Sequence, residues 1–254
     1  MTSFVTAVKL MPGYEDYAMR LRLYIECIAA GFSDHPYEII VVEDRCRKNV
    51  ALVRDFLTDE WLSERNARLI EYYADYRNPH GYNMIEAFAK NVGIRAARYP
   101  FVCVTNCDIL FNAAFFEMCA GGLKPNTFYR FLEYETPVTS WNLEKIQETW
   151  ADAKCINADL ADPTQWNLKT IAYKSGDVML MDAESWKRIR GYPENEVWVH
   201  SDLIVCTVVR NNGLPLVVPA DAKVYTYAQE RTVVERPFEL NKSLEYLHRL
   251  ECNV

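Results

Sequence analysis

Apolar and polar residues alternate along the first half of the chain with two different periods. Short runs rich in Val, Ile and Phe recur, and longer segments with apolar residues three or four positions apart lie between them. The first pattern is typical of buried strands and the second of amphipathic helices. Their alternation predicts βαβ units, and hence an α/β fold with a mostly parallel sheet and flanking helices.

These patterns give each predicted element approximate bounds. Strands are predicted at Phe4–Leu10, Glu38–Glu43, Ala67–Tyr73, Phe101–Thr105, Thr127–Leu132 and Val178–Met181. Helices are predicted at Tyr14–Ala30, in a long segment ending near Ser63, from a cap at Asn83 to about Arg98, at Leu143–Ala153 and in the apolar run Leu203–Val209. Gly31 and Pro100 are expected to end the first and third helices.

The length and composition favour a single domain. The chain has 254 residues, of which 50% are hydrophobic and 13% aromatic, with no internal repeat, linker or shift in composition. This is enough apolar material for a sizeable core, and it argues against intrinsic disorder. We therefore expect one domain over residues 1–254.

The net charge and the cysteines indicate which binding partners and which cellular compartment are expected. The net charge of -7 and the pI near 5.3 argue against a nucleic-acid partner, because phosphate neutralisation needs clustered Lys and Arg. The apolar stretches are far shorter than the roughly 20 residues that cross a bilayer, and the first residues do not resemble a signal peptide. The eight cysteines include no CxxC pair, which favours free thiols in a reducing compartment over disulfides or a zinc site. We expect a cytoplasmic protein without a transmembrane segment.

Polar residues close two of the predicted strands. Glu43 and Asp44 end the second strand, and Asn106 and Asp108 follow the fourth. Ligands of open α/β sheets bind beyond the carboxyl ends of the strands. The two sets together therefore favour a ligand site over the alternative that each set only starts a loop or caps a helix.

The segment after the first strand excludes two common nucleotide-binding loops. Lys9–Gly13 contains one glycine, whereas a dinucleotide-binding loop needs three, and no P-loop motif is present. A dehydrogenase and an ordinary NTPase are therefore disfavoured. A bound diphosphate would need a metal ion, for which an Asp after a central strand is a suitable ligand, or Arg and Lys side chains.

One segment combines a polar helix with a strand that ends in Asn-Cys-Asp. It runs from Lys90 to Phe101 and on through Thr105–Phe111. It resembles the central signature of family-2-like glycosyltransferases with the GT-A fold, in which a helix bearing Asn and Arg precedes a strand that ends in a metal-binding DxD motif. Taken alone, such a motif is a weak indication.

Two later segments are similar to the same family. Gly176–Met181, continuing through Trp186 to Arg190–Pro193, is similar to the GDFMLM…W…LRGYPE block of transferases that build surface glycans in bacteria and large DNA viruses. His200–Leu203 lies where that group has an acidic motif before a helix. The matches follow the expected order along the chain, and together they are much more specific than any one of them.

The resemblance implies a GT-A type, Rossmann-like sheet with a smaller acceptor-side subregion. It implies inverting transfer of a hexosyl or pentosyl group from a UDP, GDP or dTDP sugar to a hydroxyl of a glycan or glycoconjugate, with Mn2+ or Mg2+ as cofactor. The nucleotide sugar would bind to about residues 1–111, and about residues 112–254 would bind the acceptor and carry catalysis.

The resemblance also implies roles for individual residues. Donor base and ribose contacts are expected from Glu43, Asp44, Asn91 and Arg95. Diphosphate contacts are expected from Asn106 and Asp108, and metal binding from Asp108. Contacts to the sugar or acceptor are expected from Gly176, Asp177, Trp198 and His200, and Asp202 is expected to act as the general base.

Two departures from the family pattern bear on these roles. Asn106 stands where the first Asp of the DxD motif is expected, so one carboxylate is missing and metal binding should be weaker. His residues that often follow the last strand of relatives are replaced here by Val224–Gln229. An alternative therefore stays open, namely a catalytically degenerate GT-A domain that binds nucleotide or glycan without turnover. A sugar-nucleotide pyrophosphorylase is disfavoured, because its glycine-rich basic loop is missing.

Structural roles also stay open for several of these residues. Asn91 and Arg95, four apart on one helical face, would suit a solvated pair, and Asp202 would suit a helix cap. The remaining structural alternatives are a turn for Asp177 and a cap or packed side chain for His200. The rings of Trp186, Tyr192 and Trp198 would suit stacking on the apolar faces of sugar rings, and core filling is the alternative.

Overall fold

The structure is a computed structural model, and it describes residues 1–10, 16–45, 51–73, 86–137, 140–165, 178–194 and 201–227. These residues form eleven strands and seven α-helices. The strands are β1 (Thr2–Val8), β2 (Tyr37–Arg45), β3 (Ala67–Tyr73), β4 (Phe101–Thr105), β5 (Ile109–Phe111), β6 (Phe128–Tyr129), β7 (Leu132–Thr136), β8 (Lys154–Cys155), β9 (Val178–Asp182), β10 (Leu216–Val217) and β11 (Lys223–Tyr227). The helices are α1 (Tyr17–Gly31), α2 (Asp59–Ser63), α3 (Glu86–Ala96), α4 (Ala113–Gly121), α5 (Leu143–Glu148), α6 (Ala183–Ile189) and α7 (Ser201–Asn211).

A seven-stranded sheet in the order β10-β6-β9-β4-β1-β2-β3 forms the centre of the molecule. Its strands β4, β1, β2 and β3 pair in parallel, and β9 pairs antiparallel with both β4 and β6. The predicted α/β architecture with a mostly parallel sheet is confirmed. Because the parallel strands all point the same way, residues at the ends of β1, β2 and β4 meet at one edge of the sheet.

A second sheet of four strands, in the order β5-β11-β7-β8, lies beside that edge. In this sheet β5 pairs antiparallel with β11, so that Ile109 lies opposite Thr226. Asp108 directly precedes β5, and Tyr227 is the last residue of β11. The register therefore brings the end of β11 next to the turn that follows β4.

The two faces of the large sheet bury different helices. Along β1, Phe4 and Val8 pack with α1 on one face, while Val5 and Ala7 pack with α3 and α6 on the other. This is the period-two alternation of a strand that is covered on both faces. The runs of Val, Ile and Phe seen in the sequence are thus explained by burial from both sides.

The bounds of β3 and β4 are those predicted, whereas the predicted long helix ending near Ser63 is wrong. Its described part contains only a 3-10 turn at Val53–Asp55 and the five-residue α2. The backbone NH of Val53 donates to the Glu43 carboxylate at 2.7 Å, and the Thr58 hydroxyl caps α2 by accepting from the NH of Trp61. These contacts with side chains replace the continuous helical hydrogen bonds.

Two other elements also differ from the sequence prediction. The single strand expected over Thr127–Leu132 is divided, because β6 pairs within the large sheet and β7 pairs within the small one. The helix expected over Leu143–Ala153 is α-helical only to Glu148 and then continues as a 3-10 turn. Pairing partners distant in sequence decide the first difference, and period analysis does not detect them. None of the helices in the described ranges is long and apolar enough to cross a membrane.

Candidate functional site

The carboxyl edge of the large sheet carries a buried ion pair between the ends of β1 and β2. The Lys9 ammonium lies 3.4 Å from an Asp44 carboxylate oxygen, and the side chains are only 4% and 2% exposed. The sequence analysis predicted both residues at the ends of strands. The structure differs in that β2 continues two residues beyond the predicted end and includes Asp44. A buried charge that is paired in this way is held in a fixed position.

Both carboxylate oxygens of Glu43 accept hydrogen bonds from other residues of the protein. One of its oxygens accepts from the NH of Val53 at 2.7 Å, and the other accepts from Nε of Arg45 at 3.0 Å. Arg45 also donates to Glu71 at 2.7 Å. Glu43 is fully buried, so the structure gives this carboxylate an anchoring role for the segment after β2. Contact of Glu43 with the donor stays a prediction.

Lys90 on α3 reaches the turn that follows β4. Its ammonium donates to Oδ1 of Asn106 at 2.9 Å and forms an ion pair with Glu86, one turn earlier on α3. The Lys90 side chain is 4% exposed. Sequence reasoning missed this residue, although the Glu86–Lys90 spacing of four on the helix before the Asn-Cys-Asp motif was a usable signal.

Arg20 on α1 reaches the same turn from the other face of the sheet. Its guanidinium contacts Asp108 at 3.5 Å and pairs with Asp16, and it lies 5.4 Å from the ring centre of Tyr17 and 5.3 Å from that of Tyr227. Burial alone would lower the pKa of Arg20, but the hydrogen bond and charge of Asp16 and the charge of Asp108 raise it. A permanent positive charge therefore adjoins Asp108.

The described residues of this edge do not by themselves fit a resident divalent cation. Asp108 offers one carboxylate and Asn106 one amide oxygen, and cationic side chains contact both residues. Within the described ranges there is no group of three or more His, Cys, Asp or Glu that could hold a metal ion. Since Mg2+ needs about six oxygen ligands, most of them would have to come from a ligand or from water.

The side chains of Asn91 and Arg95 contact the turn at residues 190–194 rather than the polar residues at the carboxyl ends of the strands. The Asn91 amide donates to the carbonyl of Tyr192 and accepts from its NH, both at 2.8 Å. Asn91 and Arg95 also donate to Glu194, at 3.0 and 3.1 Å. Gly191 has a φ of +73°, and a Cβ there would lie 2.3 Å from Oδ1 of Asn91.

The direction of α3 explains why Arg95 is remote from the predicted donor contacts. The carbonyl of Ala96, the last residue of α3, accepts from Arg68 at 2.6 Å, and Arg68 is the second residue of β3. Helix α3 therefore ends near the amino ends of the strands, as a crossover helix between parallel strands must. Arg95 lies there, at the opposite end of the sheet from Asp44 and Asp108.

Asp202 lies in the first turn of α7 with a half-buried side chain. Burial raises the pKa of Tyr192, the charge of Lys90 opposes this shift, and the charges of Glu86 and Asp202 add to it. The Lys90 ammonium lies 5.5 Å from the same ring. The structure thus brings Asp202 to the side of the site that contains Lys90.

Arg130 is a fully buried cation that sequence reasoning did not identify. It directly follows β6, which runs parallel to β4, and its charge reaches Cys206 on α7. Its Nε and Nη1 atoms have no hydrogen-bond partner among the described residues, and its guanidinium lies 5.6 Å from the ring centre of Phe128. The carboxyl edge therefore contains a further positive charge on the side of α7.

The remaining predicted contacts divide into core residues and residues outside the described part. Trp186 and Tyr192 are buried and stack on each other with ring centres 5.7 Å apart, and the indole of Trp186 donates to the carbonyl of Val102 at 3.0 Å. Core filling is thus the role that the structure gives them. Gly176, Asp177, Trp198 and His200 lie outside the described residues.

Comparison with known proteins identifies the fold. No protein-family model and no curated protein matches the sequence. The structure is similar to S. aureus TarS 1-349 in complex with UDP, with a TM-score of 0.61 and 12% identity over 97% of this chain and 64% of that chain. The complex of TarS 1-349 with UDP-GlcNAc gives a TM-score of 0.57 and 12% identity over 90% of this chain and 59% of that chain.

The structure is also similar to a second glycosyltransferase of known structure. The mannosyltransferase PcManGT from Pyrobaculum calidifontis, in complex with GDP-Man and Mn2+, has a TM-score of 0.61 and 13% identity over 100% of this chain and 64% of that chain. The likeness to these structures shows that the chain has the predicted GT-A fold. The chain spans 38% of the length of S. aureus TarS and 64% of that of the PcManGT chain.

Proposed function

We propose that this protein is an inverting glycosyltransferase that moves a sugar from a nucleotide diphosphate donor to a hydroxyl of a glycan or glycoconjugate. The observation that carries the proposal is the convergence of Arg20 and Lys90, from opposite faces of the sheet, on Asp108 and Asn106. This occurs at the carboxyl edge of a GT-A fold, where α/β sheets bind ligands. The similar solved structures contain UDP, UDP-GlcNAc and GDP-Man.

The two cations suit the charge changes of glycosyl transfer. When the bond between the sugar and the diphosphate breaks, negative charge develops on the leaving phosphate. Cationic groups fixed beside it stabilise that charge more than they stabilise the intact donor. Arg20 and Lys90 are held by Asp16 and Glu86, so little reorganisation is needed. We assign them to the donor diphosphate, and Asp44 to the ribose.

Asp202 is our candidate for the general base. Inverting transfer is a single displacement at the anomeric carbon, and the incoming hydroxyl loses its proton as the new bond forms. A carboxylate within hydrogen-bond reach can accept that proton. Asp202 lies on the side of the site that contains Lys90, and we place the acceptor there, in the half formed by about residues 112–254.

A panel of nucleotide sugars tests the proposal. Purified protein is incubated with UDP-, GDP- and dTDP-sugars, and release of free nucleotide is measured, since water can replace the missing acceptor. We expect slow hydrolysis of one donor class. Binding of a nucleotide without any release would favour the degenerate binding domain, and the absence of both binding and release would contradict the proposal.

A further inference from the structure

The hydroxyl of Tyr227 is a buried polar group without a hydrogen-bond partner in the described part of the chain. Tyr227 is the last residue of β11 and is 1% exposed. Burying a hydroxyl without a partner costs about 1–3 kcal/mol, so such groups are rare in folded proteins and call for an explanation.

The hydroxyls of three other buried tyrosines do have partners. The Tyr24 hydroxyl bonds the Thr105 hydroxyl at 2.8 Å, and the Tyr129 hydroxyl accepts from the NH of Lys124 at 2.7 Å. The Tyr192 hydroxyl contacts the sulfur of Met179 at 3.5 Å. The Tyr227 hydroxyl therefore differs from those of these three tyrosines, although several other buried polar atoms of the described residues also have no partner.

The surroundings of Tyr227 point to an anionic ligand. The guanidinium of Arg20 lies 5.3 Å from its ring centre, and Arg20 contacts Asp108 at 3.5 Å. Burial raises the pKa of Tyr227, Cys27 and the charge of Asp108 add to this effect, and the charge of Arg20 opposes it. The phenol therefore stays protonated at neutral pH, and a protonated phenol beside a cation can donate to an oxygen that only accepts.

We propose that the Tyr227 hydroxyl donates a hydrogen bond to a phosphate oxygen of the donor diphosphate, next to Arg20. The inference rests on the proposed function, and it adds a binding residue that the sequence motifs did not identify. It also accounts for the unpaired hydroxyl, because the missing acceptor then belongs to the ligand.

Tyr227→Phe isolates this hydrogen bond. The substitution keeps the ring and removes only the hydroxyl, so the melting temperature of the empty protein should be unchanged or higher. The dissociation constants of UDP, GDP and inorganic pyrophosphate are measured by calorimetry for both proteins. For each probe that the wild type binds, we expect the variant to bind about tenfold more weakly or worse, as for a lost hydrogen bond to a charged group.

Tyr225→Phe is the matched control. Tyr225 lies two residues earlier on β11, and its ring stacks on Trp150 with centres 4.1 Å apart. This variant should bind all three probes like the wild type.

The outcomes separate the inference from the proposed function. Equal affinity of wild type and Tyr227→Phe for the diphosphates would overturn the inference alone. A wild-type protein that binds neither UDP nor GDP, and that releases nucleotide from none of the nucleotide sugars, would contradict the proposed function itself.

Discussion

Single side chains at the carboxyl edge carry the proposed chemistry, and Asp202 allows the sharpest test among them. As a base it must accept a proton, whereas as a first-turn acid it would only favour the positive end of the α7 dipole, a contribution of about 0.3–1 kcal/mol. Asp202→Asn keeps the shape and removes the proton acceptor. We expect donor affinity and melting temperature to be retained and turnover to fall by roughly two to four orders of magnitude.

Glu184→Gln provides the control for this variant. Glu184 is the first-turn acid of α6, and its side chain is 83% exposed. Its substitution should leave turnover unchanged. Near-normal turnover of Asp202→Asn would remove Asp202 from the mechanism, and Asp177 would become the next candidate.

Two of the three guanidinium nitrogens of Arg130, Nε and Nη1, have no hydrogen-bond partner among the described residues. Replacing a poorly compensated buried cation by an apolar side chain of similar length removes a desolvation cost. We expect Arg130→Met to raise the free energy of unfolding by about 1–3 kcal/mol, as measured by urea denaturation. Arg22→Met, at a side chain that is 49% exposed, should change it by less than about 0.5 kcal/mol. A clear loss of stability in Arg130→Met would mean that Arg130 has a partner outside the described residues.

At the scale of elements, the buried part of the contact between α3 and the turn at residues 190–194 depends on the Asn91 amide, and a more exposed ion pair joins Arg95 to Glu194. Asn91→Ala would leave the NH and carbonyl of Tyr192 without partners in a buried place, at a cost of about 1–3 kcal/mol for each unsatisfied group. We therefore expect a clear fall in melting temperature for Asn91→Ala. Arg95→Ala breaks an ion pair whose Arg side chain is 63% exposed, and it should cost less than about 1 kcal/mol.

The same two variants test the donor contacts implied by the family resemblance. Since α3 places Arg95 near the amino ends of the strands, Arg95→Ala should bind UDP and GDP like the wild type. Asn91→Ala, measured below its melting temperature, should also bind UDP and GDP with the affinity of the wild type. A tenfold loss of nucleotide affinity in Arg95→Ala at unchanged stability would restore the contact that the sequence suggested.

At the scale of the whole molecule, the carboxyl edge brings together charges from both faces of the sheet, and this decides how a metal can bind. A divalent cation would meet Arg20 and Lys90 beside the two side chains of the Asn-Cys-Asp motif. We expect Mn2+ to bind the empty protein more weakly than about 0.1 mM, and to bind much more tightly once UDP or GDP supplies diphosphate oxygens. Calorimetry with and without the nucleotide checks this, and tight binding to the empty protein would contradict it.

The sequence predicted those parts of the fold that depend on local pattern. Ala67–Tyr73 and Phe101–Thr105 were located to the residue. Phe101–Thr105 is a short apolar run after Pro100, which marks a buried strand. The GT-A fold was also predicted, from motifs whose order along the chain is specific. Where the sequence failed, as in the divided strand of β6 and β7, the decisive contacts were with strands far away in the chain.

The sequence alone determined which strands end in polar residues, since that depends only on the order of residues along the chain. The tertiary structure decided which side chains meet there, because this depends on strand order and helix direction. It brought Lys90 and Arg20 to the Asn-Cys-Asp turn and turned Arg95 away from it. The register of β11 against β5 likewise placed Tyr227 beside Asp108, more than a hundred residues earlier in the chain. The spacing of apolar residues along the chain does not predict which distant strands pair, because that pairing depends on how the whole chain packs.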